Sequence, residues 1–173
     1  MTQSHRLADG GLIDRNKPLR FQFNGKWYLG YQGDTLASAL LANGIHFVAR
    51  SFKYHRPRGI MTAGVEEPNA IVQLENGAYT VPNARATEVE LYEGLTASSV
   101  NARPDIERDR LAFMQYLSRF IPAGFYYKTF MWPRRWWGKY EEHIRHTAGL
   151  GTVPTEHDPD RYEKTMPTVM YWS

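Results

Sequence analysis

Nine residues, Arg50 to Arg58, hold five basic side chains: Arg50, Lys53, His55, Arg56 and Arg58. Phe52 and Tyr54 stand between them, and the next acid is Glu66. A guanidinium presents a planar fork of donors that matches a carboxylate or a phosphate bidentately. Read as an extended strip, Arg50, Phe52, Tyr54, Arg56 and Arg58 share one side, with Lys53 and His55 on the other. Pro57 excludes both a continuing helix and a central ladder position. Such a strip suits an acidic patch on a neighbouring domain or the pyrophosphate of a flavin. The plain structural alternative is a solvated edge strand whose charges discourage pairing with another chain.

Other candidate groups carry less. His143 and His146 lie three apart on a predicted helix, a spacing that can hold a metal, but no third ligand accompanies them. Glu142 is more simply a surface partner for His146, so no metal site is expected. Asp34 and Thr35 read as a helix cap, and no residue is assigned a catalytic role. Gly149-Leu150-Gly151 lacks the third glycine and the preceding strand of a dinucleotide fingerprint, and reads as a helix stop. Tyr126, Tyr127 and Lys128 have the chemistry to stack on or pair with a ligand; the expectation is that they pack against an adjacent domain. The chain has no cysteine. Disulfides, thiolate zinc sites, cysteine nucleophiles and cysteine-ligated clusters are thereby excluded.

Residues 19–32, LRFQFNGKWYLGYQ, predict two strands joined by Asn24-Gly25, the pair best suited to a type I′ turn. Leu19, Phe21 and Phe23 alternate with Arg20 and Gln22, which gives one buried face. Residues 33–45 predict a short helix capped by Asp34 or Thr35, striped by Leu36, Ala39 and Leu40 and ended at Gly44. Strands follow at 45–52 and 69–83, the latter with a turn at Asn76-Gly77. Two strands, a helix and further strands within about 85 residues is the order of a β-grasp domain.

The second half reads differently. Pro104 and three acids open a predicted helix striped by Leu111, Met114, Leu117 and Ile121. Positions 120–137 hold eight aromatic residues. Each such ring buries roughly 150 to 250 Å², so this strap is expected to lie against something larger. A last helix follows, then a linker over 152–164. The chain of 173 residues, 42% hydrophobic and 14% aromatic, is of folded composition, and its net charge of +3 is too small to imply nucleic acid. No secretory signal is read at its start, nor any apolar run of the 18 to 20 or so residues a bilayer needs. The expected address is cytoplasmic, with no membrane partner.

GDTLASALLANGI, RSFKYHRPRGI, EEPNAIV, AGFYYKTFMWP, AGLG and DPDRYEK occur in this order. Together they resemble the N-terminal region of the α subunit of heterotetrameric sarcosine oxidase, over about residues 18–164. The resemblance implies a 2Fe–2S ferredoxin-like β-grasp fold, followed in the family by an FAD- and NAD-binding domain and a folate-binding domain. It implies a complex with β, γ and δ subunits that oxidises sarcosine to glycine, reduces oxygen to peroxide and passes the methyl carbon to tetrahydrofolate. A covalent FMN associated with the β subunit carries the oxidation. Cluster-holding relatives use a C-x4-C-x2-C turn after the Arg-Gly pair, and these positions fall here at about Thr62, Glu67 and Ala70. None can act as a thiolate, so the fold is expected without its redox centre.

The expectation is therefore an α+β chain. Its parts are a flexible arm at 1–17, a β-grasp domain at 18–85, a helical extension at 86–151 that packs on a partner domain, and a linker and tail at 152–173. It binds no cofactor of its own; FAD, NAD, FMN and tetrahydrofolate belong to the full complex. Its expected role is structural, as a truncated front segment inactive alone. The alternatives are a standalone adaptor of another flavin oxidoreductase and, from a different class, a nucleic-acid-binding module, whose binding would weaken steeply with salt.

Overall fold

In the computed structural model, residues 3–120 and 133–161 are described. Strands β1 (Asp14–Phe23) and β2 (Lys26–Gln32) form the expected hairpin, with Phe23 opposite Lys26 and Phe21 opposite Tyr28. Asn24 and Gly25 have φ of 48° and 76°, the left-handed pair that a type I′ turn demands. The Asn24 side chain also accepts from the backbone N–H of Ser99 at 2.9 Å, tying the turn to a distant strand.

Helix α1 (Leu36–Ala42) follows, and its start is a capping box. Thr35 Oγ1 accepts from Ser38 N at 3.2 Å, and Ser38 Oγ accepts from Thr35 N at 3.0 Å. At its end Ile45 N donates to Leu40 O and Gly44 N to Leu41 O, the two bonds of a Schellman stop. The helix buries Leu36, Ala37, Ala39 and Leu40 on Phe21 and Phe23 of β1 and on Val48. Each large side chain so placed contributes about 1.5–3 kcal/mol.

The remaining strands are β3 (Ala49–Arg50), β4 (Pro57–Arg58), β5 (Ile71–Leu74), β6 (Val81–Arg85) and β7 (Thr96–Ser99). The main sheet has the order β2-β1-β7-β5-β6, with β1 and β7 parallel and the other pairs antiparallel. β3 and β4 pair separately as a small hairpin. The sheet thus takes its central strand, β7, from beyond residue 85. The sequence TASS gives little warning, because only Ala97 of this strand is buried and its neighbours have no apolar alternation.

Two expectations are corrected. The strand expected over 45–52 is reduced to Ala49–Arg50. The helix expected from Pro104 onward does not form: residues 101–111 are turns and bends, followed by 3-10 turns at Ala112–Gln115 and Ser118–Phe120. Tertiary contacts override the local helical pattern there, because Ile106 enters the core and Asp109 is drawn under the basic hairpin. Leu111 and Leu117, which the helical stripe would bury, are exposed.

The last helix, α2 (Trp137–Thr147), is present, preceded by a 3-10 turn at Arg134–Trp136. The described segments before β1 and after α2 are tied to the domain. Arg6 forks onto the buried carboxylate of Asp34, at 3.0 and 2.6 Å. Beyond α2, Gly151 N donates to Asn83 Oδ1 and Thr152 N to Gln73 Oε1. That segment lies along the β5–β6 edge.

Candidate functional site

The turn after Arg58-Gly59 closes around one side chain. Glu67 is 1% exposed, and its carboxylate is the centre of the loop. Oε2 accepts from Met61 N at 2.8 Å, Thr62 N at 2.7 Å and Thr62 Oγ1 at 3.2 Å. Oε1 accepts from Asn69 N at 2.8 Å and Ala70 N at 3.1 Å. Burial alone would push this carboxyl up, but the N–H groups of Thr62, Asn69, Met61 and Ala70 outweigh it and hold the group below its usual value. Thr87 Oγ1 donates to Gly64 O at 2.8 Å and fixes the outer bend of the loop.

Thr62, Glu67 and Ala70 are therefore brought together, as the cysteine spacing would require. They do not fit a 2Fe–2S cluster. A cluster needs thiolates, and these positions offer a hydroxyl, a carboxylate already saturated by five donors, and a methyl group.

The basic hairpin beside this loop is not the extended strip its alternation suggests. Ser51 N donates to Arg56 O, and His55 N to Ser51 O, so the chain folds back on itself. His55 takes a φ of 50°. As a result Arg50 and His55, both expected at an interface or near a cofactor, point inward. Arg50 is 7% exposed; its Nε donates to Ile106 O at 2.7 Å and its Nη1 to His55 O at 2.7 Å, with Nη2 also on Ile106 O. Asp109 Oδ2 lies 3.6 Å from Arg50 Nε and 2.7 Å from His55 Nδ1. A carboxylate at that distance requires the proton on Nδ1. His55 Nε2 is buried without a hydrogen-bond partner. The ring borders a cavity of about 290 Å³ lined in part by Val100, Arg103 and Leu111.

The outer side of the hairpin is different. Arg56 and Arg58 are exposed, and Tyr54 is half-buried with Lys53 Nζ 4.8 Å and the Arg56 guanidinium 4.9 Å from its ring centre. Arg58 also borders a cavity of about 220 Å³ shared with Phe52, Pro68 and Asn69, which joins the hairpin to the Glu67 loop. Tyr126, Tyr127 and Lys128 lie outside the described residues, as does most of the aromatic strap at 120–137. His143 is exposed, the His146 side chain is outside the described set, and no group of three metal-ligating side chains occurs among the described residues. Sequence reasoning missed Asp109 and Asn101. Asn101 brackets the Arg50 backbone, accepting from its N–H at 2.9 Å and donating to its carbonyl. Neither has a local signal: Asp109 sits in an acid-rich run that reads as a helix start.

A β-grasp sheet with a closed loop between β4 and β5 defines the class. Residues 16–102 match the 2Fe–2S iron–sulfur cluster binding domain, and the chain belongs to that family. It is 58% identical over 163 residues to the sarcosine oxidase subunit alpha of Rhizobium meliloti (strain 1021), covering 94% of this chain. To the sarcosine oxidase subunit alpha of Corynebacterium sp. (strain U-96) it is 39% identical over 108 residues, or 57% of this chain. The chain spans 16% and 11% of the length of these two relatives. The crystal structure of L-proline dehydrogenase from P. horikoshii aligns with 49% of this chain at 24% identity and a TM-score of 0.37, too low a likeness to bear on the fold. The resemblance to sarcosine oxidase α subunits is thereby met, and so is the ferredoxin-like fold. No helix among the described residues is long and apolar enough to cross a membrane.

Proposed function

We propose that this chain is the front, structural domain of a sarcosine oxidase α subunit, and that it covers and positions the flavoprotein domain without doing chemistry itself. The single observation that carries this reading is the 58% identity over 94% of the chain to a sarcosine oxidase subunit alpha. The assembled enzyme would convert sarcosine, oxygen and tetrahydrofolate to glycine, methylene-tetrahydrofolate and hydrogen peroxide. FAD, NAD, FMN and tetrahydrofolate would sit in the other domains and subunits. The partners are the FAD/NAD-binding domain of the α subunit and the β, γ and δ subunits.

Two features support an interface role. Arg56 and Arg58, with Lys53 and Tyr54 beside them, form a basic aromatic edge, the part of the hairpin left after Arg50 and His55 turn inward. Phe113, Tyr116, Phe120, Trp136 and Trp137 are exposed large apolar rings on the extension. Tyr126, Tyr127 and Lys128 are assigned to the same contact. The test is sarcosine-dependent peroxide formation by the purified chain supplied with flavin, alongside the co-expressed complex. Turnover by the complex alone is expected. Turnover by the isolated chain overturns the structural reading.

A further inference from the structure

The loop between β4 and β5 belongs to a family named for an iron–sulfur cluster, yet it holds no thiolate. A cluster is an anionic centre whose sulfurs take hydrogen bonds from the surrounding backbone. Here the loop keeps the inward-facing N–H groups of Met61, Thr62, Asn69 and Ala70, and all four meet on the Glu67 carboxylate. Four donors converging on one place, that of Ala70 buried and the others in the partly buried loop, disfavour a state in which they have no acceptor. Clustered amides of this kind form an anion-binding concavity, or nest. Glu67 occupies the position the resemblance assigns to the second cysteine, and its carboxylate already accepts from all four of these N–H groups.

We propose that the Glu67 carboxylate is a built-in anion standing in the cluster's place, and that the amide nest it fills is a latent site for a small carboxylate. Its own side chain is the ligand of that site. The loop's fold depends on one negative charge at its centre, not on iron. Removing the side chain empties the nest while leaving its four donors in place, so formate or acetate should enter and restore what was lost.

The experiment compares the wild-type chain with Glu67→Ala and Glu67→Gln by urea unfolding and by amide hydrogen exchange at Met61, Thr62, Asn69 and Ala70. Both variants are expected to have a lower midpoint than wild type. Exchange at these four amides should be about tenfold or more faster, with the β1–β2 amides unchanged. Adding formate at constant ionic strength should raise the midpoint of the Ala variant relative to chloride and leave wild type unmoved. If the Ala variant does not fold in chloride, its folding on titration with formate is the same result. A Gln variant with the wild-type midpoint and loop protection overturns the proposal, because Gln keeps the shape and removes only the charge. An Ala variant that responds alike to formate and chloride overturns it too.

Discussion

Arg50 and Asp109 are both taken out of water, with side chains 6% and 2% exposed, and Asp109 bridges Arg50 and the buried His55 ring. Removing one member of such a set leaves a buried charge without its partner, a loss of about 3–5 kcal/mol. Asp109→Ala should lower the unfolding free energy by that order in urea titration, while Arg58→Ala, at an exposed position, should change it by less than about 0.5 kcal/mol. Glu67 sets a pH dependence of the opposite kind to a histidine's. Its folded pKa is lowered, so its contribution is complete above the model-compound value of 4.5 and is lost as the pH falls through the lower folded value. The stability difference between wild type and Glu67→Gln, followed from pH 7 to pH 3, should therefore shrink as acid is added. A difference that stays constant with pH contradicts the assignment.

Among the elements, β2 and α1 are held close by a missing side chain. A Cβ on Gly30 would lie 2.2 Å from the Leu91 side chain and 3.2 Å from Ala39 Cβ. Gly30→Ala should cost about 1–3 kcal/mol through overpacking, read as a lower thermal midpoint. The arm is an element too, although its sequence reads as mobile. Arg6→Ala removes both charge-assisted bonds to Asp34 and leaves that carboxylate with Ser38 Oγ and the N–H of Tyr31. Limited proteolysis within residues 3–13 should then proceed faster than in wild type, with the β-grasp core resistant in both.

For the whole molecule, the proposed docking edge is testable without touching the fold. The double change Arg56→Glu and Arg58→Glu reverses two exposed charges. In a complete α subunit it should reduce the yield of assembled complex several-fold on co-purification, more so at low salt than at high salt. The melting temperature of the isolated chain should stay unchanged. A drop in that temperature would place these arginines in the fold and not at an interface.

Local chemistry made residues 19–45 legible. The Asn24-Gly25 turn, the alternation through Phe23 and the cap at Thr35 each depend on neighbours within four positions, so the sequence alone determined the hairpin and α1. The absence of cysteine likewise determined that no thiolate cluster is held, and the resemblance to cluster-holding relatives placed Thr62, Glu67 and Ala70 in the loop where one would lie. Tertiary structure decided the rest. β7 enters the sheet because β1 and β5 need a central partner, although its own residues carry no pattern. The segment around Asp109 forgoes a helix because a buried guanidinium requires an acceptor and a counter-charge. Arg50 and His55 face inward while Arg56 and Arg58 face water, because the hairpin folds back at Ser51, a reversal that a strict alternation of side chains cannot express. Glu67 becomes an internal anion only once four backbone amides, separated by up to nine positions in the chain, converge on one point.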